Sequence, residues 1–98
     1  MKIDFSGQTV LVTGAAHGFG RAIAGAFADH GATVHACDVV EEGLTQTRQR
    51  LGDEGQTSVV DVTDRTAVET WVAGARSRTG RIDVLVNNAG GRSEEHTS

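Results

Sequence analysis

The sequence predicts an α/β domain in which helices cover both faces of a doubly wound parallel sheet with strand order 3-2-1-4. Two features of the chain carry this prediction. Four short apolar runs alternate with three segments of helical periodicity, and a glycine-rich turn directly follows the first run. Parallel neighbouring strands need a crossover, which an intervening helix supplies, and right-handed crossovers fix the strand order.

The four apolar runs are predicted as strands because each of them is too short to be a helix. They lack the polar alternation of a half-exposed strand, which is typical of strands buried on both faces. The runs are Thr9 to Thr13, Thr33 to Cys37, Thr57 to Val60 and Val84 to Val86.

Apolar residues at spacings of three and four predict three helices between the strands. Gly31 and Gly80 mark the expected ends of the first and third helices, and Asp64 or Thr63 the expected N-cap of the third. The first two helices are expected on one face of the sheet and the third on the other. The predicted core-facing residues are Ala22, Ile23, Ala26 and Phe27; Leu44, Thr47 and Leu51; and Val68, Trp71, Val72 and Ala75.

Length and charge limit the classes of function. The chain has 98 residues, a net charge of -4 and 38% hydrophobic residues, which fits one soluble domain or part of one. Its basic residues are scattered, which argues against nucleic acid or an anionic membrane as the main partner. The single cysteine, Cys37, has no partner for an internal disulfide and suits a reducing cytoplasm. No stretch is as long and apolar as a membrane span, and the chain does not begin like a signal peptide.

Gly14, Gly18 and Gly20 stand close together after the first predicted strand. This turn falls at the switch point of the sheet, where the first and fourth strands diverge and the first helix directs its free N–H groups into a crevice. Gly14 is expected to make the tight turn, and Gly18 and Gly20 to let a diphosphate and the helix approach. A plain structural turn is the alternative for a glycine cluster considered alone.

The glycine spacing is G-x-x-x-G-x-G, not the G-x-G-x-x-G of the commoner dinucleotide fingerprint. Together with Asn87-Asn88-Ala89-Gly90 after the fourth strand, this spacing resembles the short-chain dehydrogenase/reductase family. The resemblance covers residues 5 to about 91, and it implies a Rossmann-type fold and an NAD(P)-dependent oxidoreductase. Such an enzyme transfers a hydride between the nicotinamide and an alcohol or carbonyl substrate.

Asp38 ends the second strand, 18 residues beyond Gly20. A carboxylate there is expected to accept hydrogen bonds from both adenosine ribose hydroxyls, which selects NAD, because the 2′-phosphate of NADP would face a like charge. Val39, where an NADP enzyme often has a basic residue, supports the same choice. A helix-capping or solvated aspartate is the alternative, since Glu41 and Glu42 follow closely.

The resemblance implies further cofactor contacts at the ends of the third and fourth strands. The Asp61 carboxylate would accept a hydrogen bond from the exocyclic amine of the adenine, and the Val62 backbone would flank the ring; a turn or N-cap aspartate is the alternative interpretation of Asp61. Asn88 would contact a ribose, and Ala89 and Gly90 complete this cofactor-binding motif.

Residues next to these motifs have expected roles as well. His17, in the glycine loop, is placed to touch the adenosine end of the cofactor or to face solvent. Phe19 replaces a usual Ile or Leu and leaves its backbone N–H available to phosphate. Asn87 is expected to tie neighbouring strand ends, and Asp83 to be structural.

No metal site is expected, because no group of His, Cys or carboxylate residues has metal-ligand spacing. His30 and His35 are expected to be a surface and a strand residue. Cys37 is expected to be a small buried hydrophobe, and Trp71 a core residue of the third helix.

Catalysis in the family relies on a Ser, a Tyr-x-x-x-Lys pair and a helical Asn. The chain has no tyrosine, and Lys2 is its only lysine. We therefore expect residues 1–91 to be the N-terminal, cofactor-binding part of a larger reductase, inactive alone, whose parent is a homo-oligomer by resemblance. Residues 92–98 are expected to be a non-native or disordered tail, because they lack apolar periodicity. Their possible codons include AGA TCG GAA GAG CAC ACG TCT, which resembles a sequencing-library adapter.

Two alternative functions stay open. Without the catalytic pair, the chain would be a non-catalytic NAD-binding module or a redox sensor. A methyltransferase uses a similar sheet, glycine turn and acidic residue, but the glycine spacing and Asn-Asn-Ala-Gly speak against it. The sequence does not indicate which alcohol or carbonyl is the substrate.

Overall fold

The computed structural model describes residues 3–89. Strands and helices alternate along this range, and each strand begins and ends within one residue of its predicted bounds. Gly90 and the tail at 92–98, for which the sequence gives expectations, lie outside the described residues, as does the boundary predicted at residue 91. The elements are β1 (Thr9–Thr13), α1 (Gly18–Asp29), β2 (Thr33–Asp38), α2 (Glu41–Arg50), β3 (Gln56–Val59), α3 (Arg65–Thr79) and β4 (Val84–Asn87).

The four strands form one parallel sheet in the order β3-β2-β1-β4, as the sequence predicts. Val10 of β1 pairs with Val34 of β2 on one side and with Val84 of β4 on the other. Because the strands are parallel, their carboxyl ends meet at one edge of the sheet. The turn between β1 and α1 and the residues after β2 and β4 therefore lie at the same edge.

Two apolar cores hold the helices to the sheet, and they confirm that α1 and α2 share one face while α3 covers the other. Burying a Val or Leu side chain fully contributes about 1.5–3 kcal/mol relative to leaving it exposed. The core beneath α1 and α2 consists of Val10, Val12, Ala15, Ala24, Ala32, Val34, Ala36 and Leu51. The core beneath α3 consists of Leu11, Cys37, Val60, Trp71 and Ala75.

The ends of α3 follow the predicted signals. Asp64 is the N-cap, and its side chain accepts a hydrogen bond of 3.1 Å from the backbone N–H of Ala67. Gly80 ends the helix in the left-handed conformation, with φ of 84°. Thr63, the alternative cap, instead donates to Asp61 through its backbone N–H and its hydroxyl.

The predicted core face of α1 is wrong in part. Ala22 and Ala26 are exposed, whereas Ala24 is buried and Ile23 and Phe27 are half-buried against the core. Alanines occupy several faces of this helix, so the apolar pattern does not single out one of them. The packing of Ala24 against the sheet decides the orientation.

The prediction that all strands are buried on both faces holds for β1 and β2 only. The edge strands β3 and β4 are partly exposed, and Val59 and Leu85 have 56% and 58% of their surface accessible. Among residues 3–89 each edge strand has a neighbour on one side only, and α3 packs over the middle of the sheet. No helix within residues 3–89 has the length and apolar character that crossing a membrane requires.

Candidate functional site

The loop between β1 and α1 is tied directly to the end of β4. The Thr13 hydroxyl donates to the side-chain oxygen of Asn87, at 3.1 Å, and accepts from the backbone N–H of Ala89, at 3.1 Å. The side-chain amide of Asn88 donates to the Gly14 carbonyl at 3.1 Å. The expected tie between strand ends through Asn87 is therefore present, and it extends to Asn88 and Ala89.

The three glycines of the loop meet different requirements. Gly14 has φ of 65°, and a Cβ there would lie 2.9 Å from the backbone nitrogen of Ala89. Gly20 has no room either, because a Cβ would lie 1.9 Å from the Gly14 carbonyl oxygen. Gly18 has φ of 60°, but a Cβ there would meet nothing within 4 Å among the described residues. Gly14 and Gly20 thus serve the protein's own packing, and Gly18 faces open space.

The first turn of α1 presents backbone donors at this open space. His17 is the N-cap in an extended conformation, and it makes no side-chain capping bond to residues 3–89. The first N–H groups of a helix have no carbonyl one turn earlier, and the helix dipole makes this end positive. His17, Gly18 and Phe19 are all exposed, Phe19 by 82%. This turn can therefore donate several hydrogen bonds to an anion.

Asp38 lies beside the loop and is 9% exposed. One carboxylate oxygen accepts from the backbone N–H of Ala16 at 3.0 Å, and the other from Val39 at 2.7 Å and Val40 at 3.1 Å. The solvated alternative for this aspartate is wrong. A carboxylate offers about four acceptor positions, so the three backbone bonds leave room for about one more donor.

Asp61 lies at the same edge, after β3, but in a different local arrangement. One of its oxygens accepts from the backbone N–H of Thr63 at 2.9 Å and from the Thr63 hydroxyl at 2.7 Å. These bonds hold the pKa of the exposed Asp61 carboxyl below its usual value. Asp61 thus forms a turn with Thr63, as the alternative interpretation expects. An adenine contact by Asp61 and the half-buried Val62 stays a prediction.

Sequence reasoning missed Arg21 and Thr47, which hold the loop from the side of α2. The Arg21 guanidinium donates to the Ala16 carbonyl, to the Gly43 carbonyl at 3.2 Å and to the Thr47 hydroxyl oxygen at 3.1 Å. The fully buried Thr47 hydroxyl donates to the Ala15 carbonyl at 2.6 Å. Both residues break a local rule that could have revealed them: a cation in a first helical turn, and a hydroxyl at a core position.

The remaining titratable residues of interest lie away from this edge or in the core. Burial raises the pKa of the Cys37 thiol to about 12, which fits the expected buried hydrophobe. His35, on β2, is 4% exposed, and burial lowers its pKa. Within the part of the chain that the structure describes, no group of three His, Cys, Asp or Glu side chains could hold a metal ion.

The chain matches the family model described as short chain dehydrogenase over residues 8–98. It is 41% identical over 90 residues to a CLA biosynthesis dehydrogenase/reductase of Lactiplantibacillus plantarum, covering 89% of this chain and 32% of that protein. It is 40% identical over 88 residues to the 3-oxoacyl-acyl-carrier-protein reductase FabG of Escherichia coli, covering 90% of this chain and 36% of that protein.

Solved structures show the same fold at similar identity. The glucose dehydrogenase of Caenorhabditis elegans superposes with a TM-score of 0.81 at 31% identity, covering 86% of this chain and 38% of that one. A levodione reductase gives a TM-score of 0.77 at 37% identity, covering 83% and 33%. The chain thus spans about a third of the length of the relatives it matches. Its sequence and fold place it in the short-chain dehydrogenase/reductase family, whose oxidoreductases use nicotinamide cofactors.

Proposed function

We propose that this chain supplies the adenosine and diphosphate part of an NAD(H) site in a short-chain oxidoreductase. The observation that carries the proposal is the open first turn of α1 beside Asp38, with the Ala16 peptide joining the two. The N–H groups of Gly18, Phe19 and Gly20 would hold the diphosphate, because a helix N-terminus favours negative charge. The missing Cβ at Gly18 leaves the space that such an approach needs.

The choice of NAD over NADP rests on Asp38. Its carboxylate has about one acceptor position left, which suits a ribose hydroxyl, and a 2′-phosphate would bring negative charge against it. Because three positions are used, a bond to the second hydroxyl requires one backbone bond to open. Asp61, Val62, Asn88, Ala89, Gly90 and His17 complete the proposed cofactor contacts.

In the whole enzyme, the bound cofactor supplies hydride chemistry toward an alcohol or carbonyl substrate. The residues of this chain bind and orient the cofactor; none of them is proposed as catalytic, and the 98-residue chain is expected to bind without turnover. We also propose a homo-oligomeric parent, by resemblance, and a cytoplasmic location, which the free, buried thiol of Cys37 suits.

A second candidate is a non-catalytic dinucleotide-binding module or redox sensor. The 98 residues are compatible with it, because they contain no tyrosine and only one lysine, Lys2. The gene beyond codon 91 separates the two candidates, because the enzyme requires a downstream Ser and a Tyr-x-x-x-Lys pair.

Calorimetric titration of the 98-residue chain with NADH, NADPH and S-adenosylmethionine tests the proposal. NADH is expected to bind about tenfold tighter than NADPH, the difference that one lost charge-assisted hydrogen bond produces. S-adenosylmethionine is expected not to bind. A folded chain that ignores NADH would overturn the proposed function, and one that prefers S-adenosylmethionine would indicate a methyltransferase.

A further inference from the structure

Arg21 stands where helix electrostatics disfavour a cation. It lies in the first turn of α1, whose N-terminal end is already positive because the peptide dipoles are aligned. An arginine near a helix C-terminus would be stabilised, whereas one near the N-terminus is repelled. Some other contribution must therefore offset the repulsion.

The contacts of Arg21 do not neutralise its charge. They are the carbonyls of Ala16 and Gly43, the Thr47 hydroxyl and the side-chain carbonyl of Gln46, all of them uncharged oxygens. Within residues 3–89, the ion pairs are Arg50 with Asp29, Arg65 with Glu69 and Arg81 with Asp83, and none of them involves Arg21. Arg21 is half-buried, so water screens its charge less than that of a fully exposed arginine.

The same contacts fix the geometry of the loop. The backbone of Ala16 is held at its carbonyl by Arg21 and at its N–H by Asp38. The Ala16 side chain is fully buried. The Gly43 backbone packs so closely that a Cβ on Gly43 would lie 2.4 Å from the Ala16 carbonyl oxygen. Ala16 therefore has no room to move toward α2. The planar guanidinium reaches α2 and the loop at once, as its fork of donors allows.

We propose that Arg21 is a positioning residue of the dinucleotide site, which holds the Ala16 peptide in place and adds its unpaired charge to the potential that attracts the diphosphate. The inference rests on the proposed function. The hydrogen bonds of the guanidinium offset repulsion at the positive end of α1, and the ligand would add a compensating negative charge. The helix dipole and Arg21 then act on the same anion.

Titrations of the 98-residue chain with ADP and with adenosine test this role, because only ADP carries the diphosphate. Arg21→Gln is expected to weaken ADP binding roughly tenfold, the effect of one nearby charge at a partly buried site, and to weaken adenosine binding clearly less, because adenosine depends on the position of Ala16 but carries no diphosphate. Arg21→Lys keeps the charge and is expected to weaken ADP binding by no more than about threefold. Arg48→Gln removes the same charge from the last turn of α2, where Arg48 donates to the Gly52 carbonyl, and it is the control, with ADP binding unchanged.

The outcomes separate this inference from the proposed function. A wild-type chain that does not bind ADP overturns both. Wild-type ADP binding that Arg21→Gln leaves intact overturns the inference alone. Equal losses of ADP and adenosine would show a purely structural role, and an Arg21→Lys variant as weak as Arg21→Gln would show that the charge has no part.

A measurement on the wild-type chain covers the case in which Arg21→Gln does not fold. The side-chain Nε–H resonance of Arg21 is expected to shift in nuclear magnetic resonance spectra when ADP is added and to stay in place when adenosine is added. An unchanged resonance at saturating ADP would overturn the inference.

Discussion

Gly20 lies so close to Gly14 that a Cβ on Gly20 would stand 1.9 Å from the Gly14 carbonyl oxygen. The start of α1 therefore packs directly on the turn that precedes it. A carbonyl of the backbone cannot move away as the end of a flexible side chain can. The two glycines form one packed unit, and Gly18 lies between them with open space in front of it.

Gly20→Ala is accordingly expected to lower the free energy of unfolding by about 3 kcal/mol, the upper range for overpacking. Gly18→Ala meets no atom, so we expect only the cost of a left-handed alanine, about 1–2 kcal/mol, together with weaker NADH binding. Gly74→Ala is the control, since it lies inside α3 with nothing within 4 Å, and it should stabilise the chain by about 0.5–1 kcal/mol. Urea unfolding measures all three; a Gly20→Ala variant as stable as Gly74→Ala would contradict the packing described.

Asp38→Asn is expected to destabilise the fold even without ligand. The carboxylate accepts from the N–H groups of Ala16, Val39 and Val40 on its two oxygens, and an asparagine has one oxygen and turns an NH₂ group toward a backbone donor. The lost bonds should cost about 1–3 kcal/mol. Asp53→Asn, at an exposed loop position, is the control and should change stability by less than about 0.5 kcal/mol. Equal unfolding curves for the two variants would argue against the network.

The sequence predicts the fold well because each element carries its own signal. Apolar runs define β1 and β2, and an aspartate before α3 and a glycine after it define the ends of that helix. The preference for right-handed crossovers then allows one strand order. The site is predicted less completely. Asp38 stands out by type and position, but the acceptance of three backbone donors depends on how the loop closes. Arg21 and Thr47 stand out only as exceptions to local rules, and the carbonyls that they bond, 5 and 32 residues away, are set by the folded loop and not by the sequence pattern.

Stability is expected to fall as the pH drops below about 6.5. Burial, and secondarily the positive charge of Arg78, lower the pKa of His35 from its usual 6.5, so the unfolded chain takes up a proton before the native chain does. The stability that follows from keeping His35 neutral is fully present above pH 6.5. It is lost as the pH falls from 6.5 toward the lower pKa of His35 in the folded chain. His35 lines a cavity of about 180 Å³ with Arg78, Asp53 and Glu54.

Thermal unfolding between pH 7.5 and 5.5 measures this effect. The His35→Gln variant should lose the pH dependence in this window, and His30→Gln, at the exposed end of α1, should keep it. Asp61 and Asp83 also have lowered pKa values, but they affect stability only below about pH 3.8. Their effect therefore does not overlap with that of His35. A wild-type melting temperature that is constant across the window would refute the role of His35.

Cys37 is expected to resist thiol reagents while the chain is folded. Its side chain is completely buried, and burial raises its pKa to about 12, so very little thiolate exists at neutral pH. Labelling with iodoacetamide should therefore follow the opening of the fold and accelerate as urea approaches the unfolding midpoint. Rapid labelling in native buffer would show that α3 does not stay packed on the sheet.

The edge of the sheet at β4 is expected to make the 98-residue chain associate with itself. β4 pairs with β1 on one side only among the described residues, and Leu85 is 58% exposed on it. An exposed apolar edge strand is a template for pairing with another chain, and charge on such an edge prevents this. Leu85→Lys should reduce the associated fraction in sedimentation velocity, whereas Val59→Lys, on the opposite edge strand, should leave contacts through β4 in place. A wild-type chain that sediments as a monomer at high micromolar concentration would show that this edge is already protected.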